Sequence, residues 1–320
     1  GLQRALGHLE EAARLEPENV YVLRGMGRAC WHAVNNSVSN DLTLLDDALA
    51  HADAIARLEP GSAYVAELRG LVAMLRGDLE PALRELGVAH EALPDDEDIG
   101  FWYAALLSIT GRADAGVALM RDVIRRFPDS PQPRGMLGAC LTLGGELDAA
   151  RAAIAAAPAE GVPPTMARLI EAVLGLAAGD HAYARRACDA ALQLPPDPLR
   201  GMCEFLGRCV RGDAADARAV LTPELEAMLW HDFSYTEYVG SGFAVLGDVP
   251  EMARWLARSV ELGMGHHRFV TAVSAAWRPW VGHPALAPIL ARAEAHAARY
   301  ATIPLAPRVA ALLAAARTAG

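Results

Sequence analysis

The stretch "GDLEPALRELGVAHEALP" at residues 77–94 runs from a glycine to a proline seventeen positions later. The same spacing returns in "GRADAGVALMRDVIRRFP" at residues 111–128, thirty-four positions further along the chain. The register extends in both directions and is kept by Pro60, Gly77, Pro94, Gly111, Pro128, Gly145, Gly179 and Pro196. A repeat of 34 residues therefore organises the chain, with one glycine and one proline in each unit, although at position 162 a valine stands in the register beside Pro163.

Each half of the repeat carries apolar residues at helical spacing, so the pattern predicts two helices joined at the glycine and ended by the proline. Hydrophobic residues make up 53% of the chain and aromatic residues only 6%. Small, strong helix formers such as alanine can then bury a large area in closely spaced helices. The second helices place alanines seven apart on one face, at Ala82 and Ala89, Ala150 and Ala157, and Ala184 and Ala191.

This pattern resembles the tetratricopeptide repeat family, which combines a 34-residue period with a first-helix glycine, second-helix alanines and a closing proline. The matching first-helix glycines are Gly27, Gly70 and Gly138. The resemblance implies an all-α, right-handed superhelical solenoid over about residues 3–262. It also implies a concave inner surface of the kind that commonly takes an extended or helical peptide.

The repeat register divides the chain into an array at 1–262, of about seven helix pairs, and capping helices at 263–320. The opening segment "ALGHLEEAARLEP" at residues 5–17 matches only a second helix. We therefore expect the first pair to be incomplete and the chain to be a fragment or processed product of a longer one. A polar insertion is expected near 32–47, because extra asparagines and serines lengthen the second repeat there.

The C-terminal stretch "GMGHHRFVTAVSAAWRPWVGHP" has the histidines and tryptophans of a possible metal or catalytic site. The adjacent His266 and His267 diverge on any regular element, and no cysteine or carboxylate stands at metal-ligand spacing. The stretch also resembles the closing segment of bacterial arrays of this family. That resemblance implies that Trp277 and Trp280 cover the last repeat and that His283 caps the next helix. We therefore predict a cap here and no metal site.

In a stack of helix pairs, one stripe of each first helix packs on its neighbours and a second stripe faces the inside of the superhelix. Spacing by three and four assigns aromatic residues and arginines to this second stripe, and such residues recur at binding hot spots. The stripe predicts a groove that is basic at one end and aromatic or apolar in its middle. Its residues are Tyr21, Arg24, Arg28, Trp31, Tyr64, Glu67, Leu71, Met74, Phe101, Trp102 and Ser108.

Catalytic patterns are missing from the sequence. There is no lysine and no phosphate-binding glycine loop, and the acidic run "PDDED" at residues 94–98 suits the positive end of a starting helix. Five cysteines without a CxxC pair fit buried core thiols in a reducing compartment. We expect a cytoplasmic protein without catalysis, cofactor or metal, since no apolar run reaches the roughly 20 residues of a membrane span.

The formal net charge of −10 argues against nucleic acid or an anionic membrane as the main partner. The sequence favours a non-catalytic protein–protein interaction scaffold that binds a peptide or partner helix in its groove. One alternative is the regulatory or sensor region of a larger bacterial signalling protein, of the kinase or adenylate cyclase type. A ligand-binding protein or enzyme is a third class, and association into a homo-oligomer is also open.

Overall fold

The computed structural model describes residues 2–35, 39 and 41–319, and these residues contain helices and no strand. The predicted all-α fold is therefore confirmed for the described chain. Its α-helices are α1 (Leu2–Leu15), α2 (Val20–Asn35), α3 (Leu44–Leu58), α4 (Ala63–Arg76), α5 (Leu79–Ala92), α6 (Glu97–Ile109), α7 (Ala113–Arg126), α8 (Pro131–Gly144), α9 (Leu147–Ala156), α10 (Pro164–Ala178), α11 (His181–Ala191), α12 (Arg200–Arg211), α13 (Ala214–Val220), α14 (Pro223–Leu229), α15 (Phe233–Leu246), α16 (Val249–Glu261), α17 (Ala287–Ala301) and α18 (Pro307–Ala319). Between α16 and α17 lie a π-helical turn at Phe269–Val273 and a 3-10 turn at Arg278–Trp280.

The repeat glycines end first helices in the left-handed conformation that the turn requires. Gly77, Gly145 and Gly179 follow α4, α8 and α10 with φ angles of 79°, 85° and 73°. Each donates its N–H to a last-turn carbonyl of the helix it ends. An L side chain is strained at such angles, whereas glycine is not. The 34-residue glycine register therefore marks the turn inside each helix pair.

The small residues allow the two helices of a pair to pack closely. A Cβ at Gly138 of α8 would lie 2.3 Å from the Ile154 side chain of α9. Most of the second-helix alanines are fully buried, namely Ala82, Ala89, Ala150, Ala184 and Ala191. Ala157 departs from the pattern, because α9 ends at Ala156, just before Pro158.

The helices form two compact units. Unit 1 comprises Gly1–Tyr103 and Ile303–Arg308, and unit 2 comprises Ala104–Thr302 and Val309–Gly320. A core cluster of unit 1 joins α2, α3 and α4, with members that include Leu23, Ile55 and Leu68. The core of unit 2 runs from α10 to α17 and includes residues of the C-terminal segment.

The repeat pattern is interrupted at the insertion near residues 32–47 and again at the start of α14. The insertion predicted near residues 32–47 is helical at both ends, and residues 36–38 and 40 lie outside the described chain. Helix α14 begins after Thr222, whose hydroxyl accepts the N–H of Leu225, and Pro223 occupies the first turn. None of the described helices combines the length and hydropathy that a membrane span needs.

Candidate functional site

The inner stripe of α2 in unit 1 brings two arginines against acids of later helices. Arg24 donates from Nε to Oε2 of Glu67 at 2.6 Å and from Nη2 to Oε1 at 2.9 Å, a bidentate pair between α2 and α4. The same Nη2 reaches Oδ2 of Asp96 at 2.7 Å, immediately before α6. The guanidinium of Arg24 therefore ties three repeats together.

Arg28, one turn further along α2, makes the second half of this network. Its Nη1 donates to Oδ2 of Asp98 at 2.7 Å, and its Nε lies 3.8 Å from Oε1 of Glu67. We call Arg24, Arg28, Glu67, Asp96 and Asp98 the charge cluster. Two cations face three carboxylates, so this part of the stripe is not the basic end that the sequence predicts.

Burial shapes the ionisation of the charge cluster. Burial raises the pKa of Glu67, and the hydrogen bonds and charge of Arg24 oppose that rise. Burial lowers the pKa of Arg24, but the charges and hydrogen bonds of Glu67 and Asp96 raise it more. The pKa of Arg24 therefore lies above its ordinary value. For Asp98 the effect of burial is outweighed by Arg28, and its pKa falls below the usual range. Arg24 therefore keeps its charge, and the cluster is held by charge-assisted hydrogen bonds.

An aromatic pair borders the charge cluster on one side. Tyr21 and Tyr64 lie with their ring centroids 5.9 Å apart, and the guanidinium carbon of Arg24 lies 4.4 Å from the Tyr64 centroid. Tyr64 is half-buried, whereas Tyr21 is 72% exposed. We call Tyr21 and Tyr64 the tyrosine pair. It offers an accessible aromatic surface beside fixed charges.

A second aromatic group lies at the other end of the α2 stripe. Trp31 is fully buried and donates its indole N–H to the carbonyl of Leu71 at 2.7 Å. Its ring meets Trp102 edge-on at 4.6 Å, and Phe101 meets Trp102 in the same manner at 4.8 Å. The expectation that Trp31 is exposed is wrong, because α4 and α6 cover it. Trp102 is half-buried and remains accessible.

The remaining residues predicted for the groove face the interior. Leu71, Met74 and Phe101 are buried in unit 1. Ser108 lies in unit 2, where it is buried and donates to the carbonyl of Ala104 at 3.0 Å. Of the predicted set, the accessible side chains are therefore those of the tyrosine pair, the two arginines and Trp102.

Sequence reasoning assigned the acidic run before α6 only to the start of that helix. Asp96 does accept the N–H of Ile99 at 3.1 Å, which confirms the helix start. The other carboxylate oxygen of Asp96 accepts a hydrogen bond from Arg24 of α2. A carboxylate oxygen of Asp98 accepts one from Arg28 of the same helix. His32 also joins this face, and burial together with Arg28 lowers its pKa to about 4. The signal that could have found them is the combination of two arginines on one face of α2 with an acidic run that precedes a later first helix.

The cysteines and C-terminal histidines show no sign of a reactive site. All five cysteines are buried and free, and burial raises the pKa of Cys140 to about 11. Such thiols are poor nucleophiles. In the described chain no group of three His, Cys, Asp or Glu side chains is arranged to hold a metal ion. His283 accepts the N–H of Ala285 at 3.2 Å, in the turn before α17.

Comparison with known proteins identifies the repeats. A family model described as tetratricopeptide repeat matches residues 107–173. This segment of the chain is therefore similar to tetratricopeptide repeats. The matched repeats span the end of α6, all of α7 to α9 and much of α10, where the turn glycines keep the 34-residue register. No curated protein compared with the chain matches it significantly.

Several solved structures resemble the chain at low sequence identity. The human IFIT1 dimer with PPP-AAAA is 15% identical, with a TM-score of 0.53 over 82% of this chain and 69% of that one. An IFIT1 monomeric mutant with Gppp-AAAA is also 15% identical, with a TM-score of 0.54 over 82% of this chain and 67% of that one. A tetratricopeptide repeat protein from Parabacteroides merdae ATCC 43184 is 14% identical, with a TM-score of 0.48 over 82% of this chain and 98% of that one. At such identities the likeness to the IFIT1 structures concerns the fold alone.

Proposed function

We propose that this protein is a non-catalytic interaction scaffold that binds a peptide or a partner helix along the α2, α4 and α6 face of unit 1. The observation that carries the proposal is the charge cluster with the tyrosine pair beside it. Its side chains come from three successive first helices, so a partner lying across the repeats can contact all of them. Tyrosine, tryptophan and arginine are the residues that most often dominate binding energy at protein interfaces.

The chemistry of this face favours a protein partner over nucleic acid. Phosphate backbones are bound through clustered positive charge, whereas Arg24 and Arg28 are already paired with three carboxylates. The whole chain carries a formal charge of −10. The IFIT1 structures contain RNA, as their names state. We propose that the present scaffold differs in this respect and takes a basic segment, which its excess of carboxylates would attract.

The test uses an exposed residue of the site, because substitutions at Arg24 or Arg28 would also break buried ion pairs. Proteins captured from the native host by the wild-type chain are quantified against capture by Tyr21→Ser, and the partner segment is then made as a synthetic peptide. We expect Tyr21→Ser to weaken peptide binding about tenfold in fluorescence anisotropy, which corresponds to about 1.4 kcal/mol.

The matched control is Val88→Ser, which alters an apolar residue of α5 that is 58% exposed and lies outside the site. This variant should bind the peptide as the wild type does. Equal affinity of both variants, with unchanged circular dichroism, would exclude the proposed face. Tight binding of a triphosphorylated RNA probe in place of a peptide would exclude a protein partner. Light scattering of the purified chain tests whether it forms a homo-oligomer, which the sequence leaves open.

A further inference from the structure

Residues 264–281, which we call the strap, cross a row of helix ends in unit 2. The Nδ1 of His266 lies 3.0 Å from the carbonyl oxygen of Ile109, the last residue of α6. Arg268 donates to the carbonyl of Gly144 at 3.0 Å, at the end of α8. The main-chain N–H of Ala275 donates to the carbonyl of Ala177 at 2.8 Å, in the last turn of α10.

These acceptors share one physical property. The last four carbonyls of an α-helix lack an intrahelical donor, so each helix end offers free acceptors. The strap supplies a donor to one such carbonyl in each of three successive helix pairs. Because a carbonyl only accepts, the His266 ring carries its proton on Nδ1. Burial lowers the pKa of His266 to about 4, so the ring stays neutral at physiological pH.

The turn glycines of these pairs also fit against the strap. A Cβ at Gly111 would lie 2.5 Å from the carbonyl oxygen of Gly265, and one at Gly145 would lie 2.9 Å from Val273. Gly212 ends α12 with nearly the same φ angle, yet a Cβ there would meet nothing within 4 Å. The close fit therefore follows the path of the strap and is not a property of every such turn.

The far end of the strap is fixed to α15 by a buried hydrogen-bonded group. The indole N–H of Trp277 lies 2.8 Å from both Oε1 of Glu237 and Oγ of Ser241. Ser241 in turn donates to the same Glu237 oxygen at 2.7 Å. We call Glu237, Ser241 and Trp277 the latch. Nearby, Trp280 donates its indole N–H to the carbonyl of Ala244 at 2.9 Å.

Helix pairs of a solenoid ordinarily contact only their neighbours, so a local opening stays local. The strap links α15 directly to α6, α8 and α10, which lie two to four helix pairs away along the chain. We propose that the strap couples these helix pairs mechanically, so that releasing the latch at α15 loosens the helix ends of α6, α8 and α10. The strap then sets the stiffness of unit 2 as a whole.

The test is hydrogen exchange, measured by mass spectrometry on the full chain carrying Trp277→Phe. This substitution keeps a buried ring and removes the N–H donor of the latch. The matched control is Trp255→Phe on α16, because Trp255 is equally buried and its indole nitrogen has no hydrogen-bond partner among the described residues. Both variants replace a buried indole with a smaller phenyl ring, and only Trp277→Phe also removes a hydrogen bond of the latch.

We expect Trp277→Phe to speed exchange about tenfold at Ala275 and in the last turns of α6, α8 and α10, since a buried hydrogen bond is lost. The control should change exchange only in α15 and α16. Faster exchange confined to α15, α16 and the strap's own end in both variants would overturn the proposal. If Trp277→Phe fails to fold, Arg268→Met replaces it. Loss of the hydrogen bond from Arg268 to Gly144 should speed amide exchange at Ala275 as well as in the last turn of α8. Faster exchange in α8 alone would equally overturn the proposal.

Discussion

The ion pair between Arg24 and Glu67 offers the sharpest test of how unit 1 is held together. The substitution Arg24→Met keeps an unbranched apolar stem and removes the guanidinium. Glu67, whose side chain is 1% exposed, then keeps only Arg28 at 3.8 Å as a neighbouring cation. Breaking a buried pair costs about 3 to 5 kcal/mol, because a charge stays buried without its partner. The expected loss of unfolding free energy lies near the lower end of this range, at about 3 kcal/mol, because Arg28 still partly neutralises Glu67 and because Asp96 is partly hydrated.

Native-state hydrogen exchange of α2 and α4 amides, followed as a function of urea, measures this loss within unit 1. With a urea dependence of about 1 to 3 kcal/mol/M, the midpoint should fall by about 1 to 3 M. The control is Arg69→Met on the same helix as Glu67. Its partner Asp53 lies 2.9 Å away, and both side chains are about half exposed. Loss of such a surface pair should cost less than about 1 kcal/mol.

Two further results follow from the same reasoning. The double variant Arg24→Met with Glu67→Met removes both charges and should recover most of the lost stability. In the single variant, the pKa of Glu67 rises further when Arg24 is removed. The folded state then binds more protons than the unfolded state, so the deficit should shrink as pH falls from 7 towards 5. The reasoning is refuted if Arg24→Met costs no more than Arg69→Met, or if the double variant is no more stable than the single one.

Two other predictions concern unit 2. Burial raises the pKa of Glu237 to about 7, against the opposing hydrogen bonds of the latch. A raised carboxyl pKa means that the folded state holds the extra proton between about pH 4.5 and 7. Stability should therefore fall as pH rises through that window, and Glu237→Gln should remove this slope in thermal melts; an unchanged slope would contradict the assignment. Separately, Gly111→Ala should destabilise more than Gly61→Ala, since both have positive φ but only Gly111 meets the strap. Gly61→Ala should cost about 1 to 2 kcal/mol from backbone strain alone, and equal losses in urea titrations would contradict the close fit.

The helix pairs could be predicted because their causes are local. Glycine at φ near 80° and proline after a helix act within a few residues of themselves, so a fixed spacing of the two predicts the turns of α4, α8 and α10. Small residues on one helix face likewise predict a close neighbour, as Gly138 against Ile154 shows. For these features the sequence alone was sufficient.

The candidate site could be predicted only in part. Spacing correctly placed Tyr21, Arg24 and Arg28 on one face of α2, because helical periodicity fixes which side chains share a face. It did not indicate what stands opposite that face. Trp31 has the same spacing as the arginines, yet it is fully buried against Leu71 and Trp102.

What the sequence by itself determined is thus the 34-residue repeat, the turns and the stripe of each first helix. What only the tertiary structure decided is which stripe residues remain accessible, how Arg24 and Arg28 are neutralised, and where the strap runs. Asp96 is 72 positions from Arg24, and Ile109 is 157 positions from His266. Contacts across such separations depend on how successive helix pairs stack, and stacking is a sum of many small packing terms that no local pattern encodes.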